Sequence, residues 1–286
     1  MRRRRANTWD IRIASYLFLA GVGAGAFGSL ALLDYLEGGK LHLPTSITAL
    51  LSLLLIGIGT LLLVSDLGKP LRFWRVLLNP MSSMLSVGAW ILILFALTML
   101  GYLGFGGPVF SLGGVVFAIA TAGYTGILLG VIKARPFWNS PALPLLFVTS
   151  AFSTGIAVVT VLASALVIYG LDAQSSHLLS QVDLCLIVAE LAIIGLYLTI
   201  MNNSAAPAAR SVEMLLRGKQ ANTFWGGLIF AGLVAPLVLA LASSEGVTNL
   251  LTSILVLIGG FSLRYTFLAA GTRALLPGEP AEASYL

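Results

Sequence analysis

The chain has 286 residues, of which 58% are hydrophobic and 9% charged. A soluble domain carries about 25% charged residues, so this composition, with a mean hydropathy of +0.99, excludes soluble enzymes, DNA-binding domains, disordered chains and disulfide scaffolds. The formal charge of +5 therefore reports orientation in a membrane, not affinity for nucleic acid.

Apolar windows of about 19 residues predict eight spans, over 13–35, 45–65, 84–105, 112–134, 143–169, 180–202, 223–243 and 248–270. Breaks fall at Glu37-Gly38-Gly39, Lys69-Pro70, Asn79-Pro80, Gly106-Gly107-Pro108, Arg135-Pro136, Ser140-Pro141 and Ala206-Pro207, as turn chemistry expects. Residues 203–222 connect two spans, and the weakest division is Ser243-Ser244-Glu245-Gly246. The runs are continuously apolar and lack period-two alternation, which argues for an all-α integral membrane protein and against a closed barrel.

With eight spans, both termini and alternate loops share one side. That side carries Arg2 to Arg5, Arg12, Lys69, Arg72, Arg75, Lys133, Arg135, Arg210, Arg217, Lys219 and Arg273, fourteen basic residues against Lys40 alone opposite. This bias predicts a multi-pass protein of the cell inner membrane with cytoplasmic termini. Arg2 to Arg5 resemble the start of a signal peptide, but the apolar run continues to Leu33, well beyond a 7–15-residue signal core. Gly23-Ala24-Gly25-Ala26-Phe27-Gly28 matches G-x-G-x-x-G in form only. It follows no strand, and Gly21, Gly25 and Gly28 instead share one helical face suited to close packing.

Cofactor chemistry is constrained by ligand supply. Cys185 is the single cysteine, and His42 and His177 both sit at loops or span ends. No haem and no iron–sulfur cluster is expected in this chain, nor a metal. Charges inside the spans are therefore the informative ones. Glu190 reads as a proton-relay carboxylate or as a hydrogen-bonded structural acid. Asp34 and Asp183 lie toward the non-basic interface, either receiving protons or simply residing there. Arg264 can pair with Asp66 or Glu190, or snorkel to the basic side. All five tryptophans (Trp9, Trp74, Trp90, Trp138 and Trp225) fall in the basic half, which fits either ordinary anchoring or contact with a partner or flat ring ligand.

Two loops on the basic face combine guanidinium groups, indoles and proline-fixed turns: Asp66-Leu67-Gly68-Lys69-Pro70-Leu71-Arg72-Phe73-Trp74-Arg75 and Arg135-Pro136-Phe137-Trp138-Asn139. With Tyr16-Leu17-Phe18-Leu19-Ala20-Gly21 and Gly88-Ala89-Trp90, they resemble the NrfD/PsrC family, the membrane subunits of polysulfide-reductase-type complexes. The resemblance covers about residues 9–160 in order and spacing, and the remainder mainly in span number. Tyr16 stands where polysulfide reductases have a histidine, and Ile13 where they have an asparagine.

The resemblance implies two four-helix up-down bundles. A basic segment (1–12) precedes the first bundle (13–134), which holds a candidate quinone site; the second bundle (135–270) is followed by a polar tail (271–286). It implies a subunit without bound cofactors that exchanges electrons and protons between membrane quinone or quinol (menaquinone or ubiquinone) and a docked iron–sulfur subunit. A catalytic subunit, often molybdopterin-containing, completes such complexes. Carried over by position, the quinone-binding candidates are Tyr16, Asp66, Tyr124 and Arg135. Proton-relay candidates are Asp66 and Glu190, and partner-docking candidates are Arg72, Trp74, Arg75 and Trp138. A secondary transporter and a passive anchor without a quinone site are the alternative functions.

Overall fold

The computed structural model describes residues 11–66, 83–166, 169–242 and 246–272. Among them are eight helices long and apolar enough to cross a membrane, and no strand. The spans are α1 (Ile11–Leu36), α2 (His42–Asp66), α3 (Met84–Phe105), α4 (Pro108–Gly130), α5 (Ala142–Ala165), α6 (Ala173–Asn202), α8 and α9 (Gly246–Ala270). The eighth helix in chain order, α8, winds as a π-helix over Thr223–Val234 and continues as an α-helix over Ala235–Ala242. Between α6 and α8 lies α7 (Ala206–Leu216), an amphipathic helix too short to span.

Every predicted span is present, but several boundaries differ; α5, for example, ends at Ala165, four residues before its predicted end. Pro108, read as a break, is the first residue of α4, where its missing N–H is not needed; the helix then ends at Gly130, four residues early. α6 begins seven residues before the expected start, because the Asp172 side chain accepts from Ser175 N–H and caps it. At thirty residues it is about 45 Å long and outreaches a hydrocarbon core of about 30 Å, so its polar first turns can lie outside. Pro207 likewise lies in the first turn of α7, directly after its first residue Ala206.

α1 is the hub. It packs against α2, α4, α5 and α9, and nearly every residue from Ala14 to Asp34 is buried. Small residues permit this. A Cβ at Gly25 would strike the backbone of Ala151, and one at Gly155 would strike Gly25, so α1 and α5 meet at van der Waals contact of their main chains. Gly21, Gly25 and Gly28 do face neighbouring helices, as their spacing predicts. Gly232 of α8 and Gly259 of α9 make a second such crossing.

At the end opposite the basic loops, Asp34 ties three elements. Its carboxylate accepts from Leu41 N–H (2.9 Å) and from the Tyr102 hydroxyl (2.7 Å), whose ring stacks on His42. Beside it the Tyr169 hydroxyl bonds Thr48 at 2.6 Å. Burial pushes the Tyr169 phenol up, keeping its proton in place. These bonds give Asp34 a structural position joining α1, the following turn and α3.

Candidate functional site

A cavity of about 520 Å³ opens among α1, α2, α3 and α4, within the size range of small-molecule sites. Helical periodicity builds its walls. α3 contributes Leu85, Gly88, Ala89, Leu92, Ile93 and Ala96, all on one face. α2 contributes Leu53, Ile56, Gly57, Thr60 and neighbours; α1 and α4 contribute one tyrosine each, Tyr16 and Tyr124. The structure thus brings together two of the four residues expected at a quinone site.

The two phenols are held differently. Both are buried and lie within electrostatic reach of each other. The Tyr124 ring occupies the space that a Cβ at Gly88 would need, and its hydroxyl donates to the Met84 carbonyl at 2.8 Å. Tyr16 packs its ring 3.4 Å from the Cβ position of Gly59. Its hydroxyl, like that of Thr60, has no hydrogen-bond partner among the described residues. Leu61, 70% exposed, and the open space beside Gly57 place the mouth of the cavity on the lipid-facing side between α2 and α3. Such a slot suits a flat apolar ring that arrives laterally from the bilayer and carries hydrogen-bond acceptors.

Arg135 is not among the described residues lining this cavity. α4 ends at Gly130, and the chain turns through 131–135 into a 3₁₀ segment, Pro136–Trp138. The Arg135 guanidinium then donates to the Gly271 carbonyl, just beyond the C-terminus of α9, where a cation complements the helix dipole. It also lies 4.8 Å over the Trp138 ring. Trp138 itself is fully buried and donates its indole N–H to the Phe267 carbonyl at 2.8 Å. It supports the turn from below and presents no indole surface to a partner. The backbone of Asp66 ends α2, but its side chain lies outside the described residues, as do Arg72, Trp74 and Arg75.

The second polar feature lies deeper. Glu190 on α6 is buried and lies within electrostatic reach of Arg264 on α9 and of Asp183, two turns back along α6. Arg264 is 1% exposed, so it does not snorkel. Its guanidinium donates to Ser150 Oγ (3.1 Å), to the Gly260 carbonyl (2.8 Å) and to the Leu17 carbonyl (3.3 Å), and lies 5.7 Å from the rings of Phe18 and Phe147. Gly21 leaves the room: its Cβ would fall 2.7 Å from Arg264 Nη2. Asp183 accepts from Ser153 at 2.6 Å. The Asp183–Ser153 bond, the Glu190 carboxyl and the Arg264–Ser150 bond thus form a polar string whose Arg264 end reaches the Leu17 carbonyl beside Tyr16. With α6 starting at Ala173, Glu190 is about 26 Å from the start of that helix, against about 15 Å from the predicted start, and about 18 Å from its end at Asn202.

Sequence reasoning missed Thr60 and the Met84 carbonyl. A threonine in an apolar helix usually bonds back to its own turn, as Thr98 does to Leu94, so nothing in the sequence distinguishes Thr60. A backbone acceptor carries no side-chain signature at all.

Comparison with known proteins is consistent with this geometry. The family described as "Polysulphide reductase, NrfD" matches residues 2–275. A polysulfide reductase chain from Wolinella succinogenes is 32% identical over 305 aligned positions, covering 92% of this sequence and 94% of that protein. The NrfD homolog of Haemophilus influenzae is 27% identical with the same coverage. A selenate reductase subunit from Mesobacillus selenatarsenatis is 24% identical, over 82% of this sequence and 66% of its own.

Proposed function

The chain belongs to the polysulphide reductase NrfD family, and from that premise we propose that it is the inner-membrane subunit of a multi-subunit oxidoreductase. It exchanges electrons between membrane quinone or quinol and an iron–sulfur subunit docked on the basic face, with a further catalytic subunit, often molybdopterin-containing, beyond. The relatives named as parts of polysulfide and selenate reductases support a complex of this kind. The charge bias supports a cytoplasmic basic face and cytoplasmic termini.

The observation that carries the proposal is the lipid-facing cavity holding Tyr16 and Tyr124. A quinone head group has two carbonyl acceptors; the Tyr16 hydroxyl has no partner among the described residues and is able to donate to one, with Thr60 on the same cavity wall. Oxidation of a quinol releases two electrons and two protons. The electrons pass to the docked subunit, and protons leave through titratable groups, for which Asp66 at the end of α2 and the Glu190 string are the candidates. The apolar walls exclude water from the head group and position the ring.

Binding of a quinone analogue to the purified complex tests the proposal. We expect saturable binding that Leu92→Trp, which fills the cavity, abolishes. Equal binding by wild type and a folded Leu92→Trp variant overturns the site.

A further inference from the structure

α7 crosses the basic end of the last four spans, against α6, α8, α9 and the 136–138 turn. Its buried face carries Ala208, Ser211, Val212 and Leu215. Ser211 bonds the hydroxyl and N–H of Thr272 at 3.0 and 3.1 Å, and the Thr272 hydroxyl donates to the Pro207 carbonyl at 2.7 Å. The helix is thus fixed in place with its other face outward. That face presents Arg210, Glu213 and Arg217, with Lys219 just beyond, all exposed.

Two adjoining clefts of about 430 and 510 Å³ share Arg210, Glu213 and Arg217, and the second reaches Asn202 at the end of α6. Three cations against one carboxylate leave the clefts at net +2. None of the three makes an ion pair among the described residues. The spans beside the clefts expose apolar side chains to the bilayer: Leu196 and Ile200 on α6, and Trp225 on α8. The Trp225 indole N–H donates to the Leu216 carbonyl at 3.2 Å, joining α8 to the cleft wall.

We propose that these clefts bind the headgroup of an anionic phospholipid. Arg210 and Arg217, two turns apart on one face of α7, hold the phosphate oxygens by charge-assisted bonds; Lys219 adds a third charge. The acyl chains lie against Leu196, Ile200 and Trp225. Those exposed apolar side chains favour a lipid over a soluble acidic partner, which has no use for a surface inside the bilayer. A choline headgroup brings its own cation and is disfavoured by the net charge.

The test is titration of the purified full-length protein in neutral detergent with phosphatidylglycerol or phosphatidylcholine, read by native mass spectrometry. Phosphatidylglycerol should bind in preference, weakening as salt rises. Arg210→Gln/Arg217→Gln should lower its affinity roughly 30-fold, taking each charge as about fivefold. Glu213→Gln should raise affinity, a gain that misfolding cannot imitate. Equal binding of both lipids, or an unchanged Arg210→Gln/Arg217→Gln variant, overturns the proposal. So does competition by inorganic phosphate at low millimolar concentration, which would make the clefts a soluble-anion site. Loss of a co-purifying protein subunit with lipid affinity intact also overturns it and assigns the face to that protein.

Discussion

The guanidinium of Arg264 donates to the Ser150 hydroxyl and lies within electrostatic reach of the buried carboxyl of Glu190, between three helices deep in the membrane. Removing one member of a buried pair costs about 3–5 kcal/mol, because the other charge is left without compensation, while replacing both by apolar groups is often neutral. Arg264→Met should therefore lower stability in detergent by about that amount. Arg264→Met/Glu190→Leu should recover most of it. Thermal unfolding of the two variants measures the difference, and additive losses would dissociate the pair.

Tyr16→Phe should weaken quinone binding more than Tyr124→Phe. The Tyr124 hydroxyl is already donated to Met84, whereas that of Tyr16 has no partner among the described residues. A neutral hydrogen bond is worth about 0.5–1.5 kcal/mol, so Tyr16→Phe should lower affinity roughly 2- to 13-fold, while Tyr124→Phe chiefly loosens α3 against α4. Asp66→Asn should instead reduce quinol turnover more than binding. Stopped-flow reduction of the partner, alongside analogue titration, separates the effects.

Gly25→Val should be severely destabilising, since its Cβ would strike the α5 main chain at Ala151 and neither helix can yield without moving its other neighbours. Overpacking costs on the order of 3 kcal/mol or more. Gly57→Ala, with open space at its Cβ, should leave folding unchanged. Yield and thermal stability of the two variants provide the comparison.

The carboxyl of Asp172 is held below the usual carboxylate range by its side-chain and backbone bonds to Ser175. A depressed acid stabilises the folded state above its unfolded pKa and ceases to do so as pH falls through the lower, folded value. The first turn of α6 should thus be protected at neutral pH and lose that protection only well below about pH 4. Amide exchange at Ser175 and Ser176, corrected for intrinsic rates, should show this dependence in wild type and a flat profile in Asp172→Asn.

Reporter fusions after Leu36 and Gly170 should report the face opposite to fusions after Asn79 and Ala209. A uniform signal from all four would contradict the eight spans, and a cytoplasmic signal from the first pair would reverse the orientation.

The eight spans were legible because each is a continuous apolar run longer than a bilayer needs, and helix contacts were partly legible in the glycines of α1. α7 was hidden because one turn of apolar residues per face is too weak a signal beside a proline read as a break. The ends of α4 and α6 depend on a proline at a first helical position and on one aspartate bond, each compatible with a loop. Tyr16 and Tyr124 were placed by family resemblance, and the geometry of α1 and α4 does join them at one cavity. Arg135 was not separable from them, because its carbonyl partner at Gly271 is 136 residues away. The approach of Arg264 to Glu190 is one of three options in the sequence, and the room left by Gly21 for the inward guanidinium is a contact between distant helices.

The central position of α1 has a consequence for biogenesis. This helix leaves the ribosome before the other seven spans, yet nearly its whole surface is destined for protein contact. α9, which supplies Arg264 to its Leu17 carbonyl, begins 210 residues after α1 ends (Gly246 against Leu36). At about 5–20 residues per second, that interval is roughly 10–40 s. Until α5 begins, 106 residues after α1 ends (Ala142 against Leu36), the glycine-rich face of α1 is covered only by lipid or by an insertion factor, and Glu190 then waits in the membrane without its cation until α9 follows. The nascent chain therefore passes through a long stage in which its innermost helix is its most exposed, and slowing synthesis ahead of α9 should raise degradation of the protein without altering its sequence.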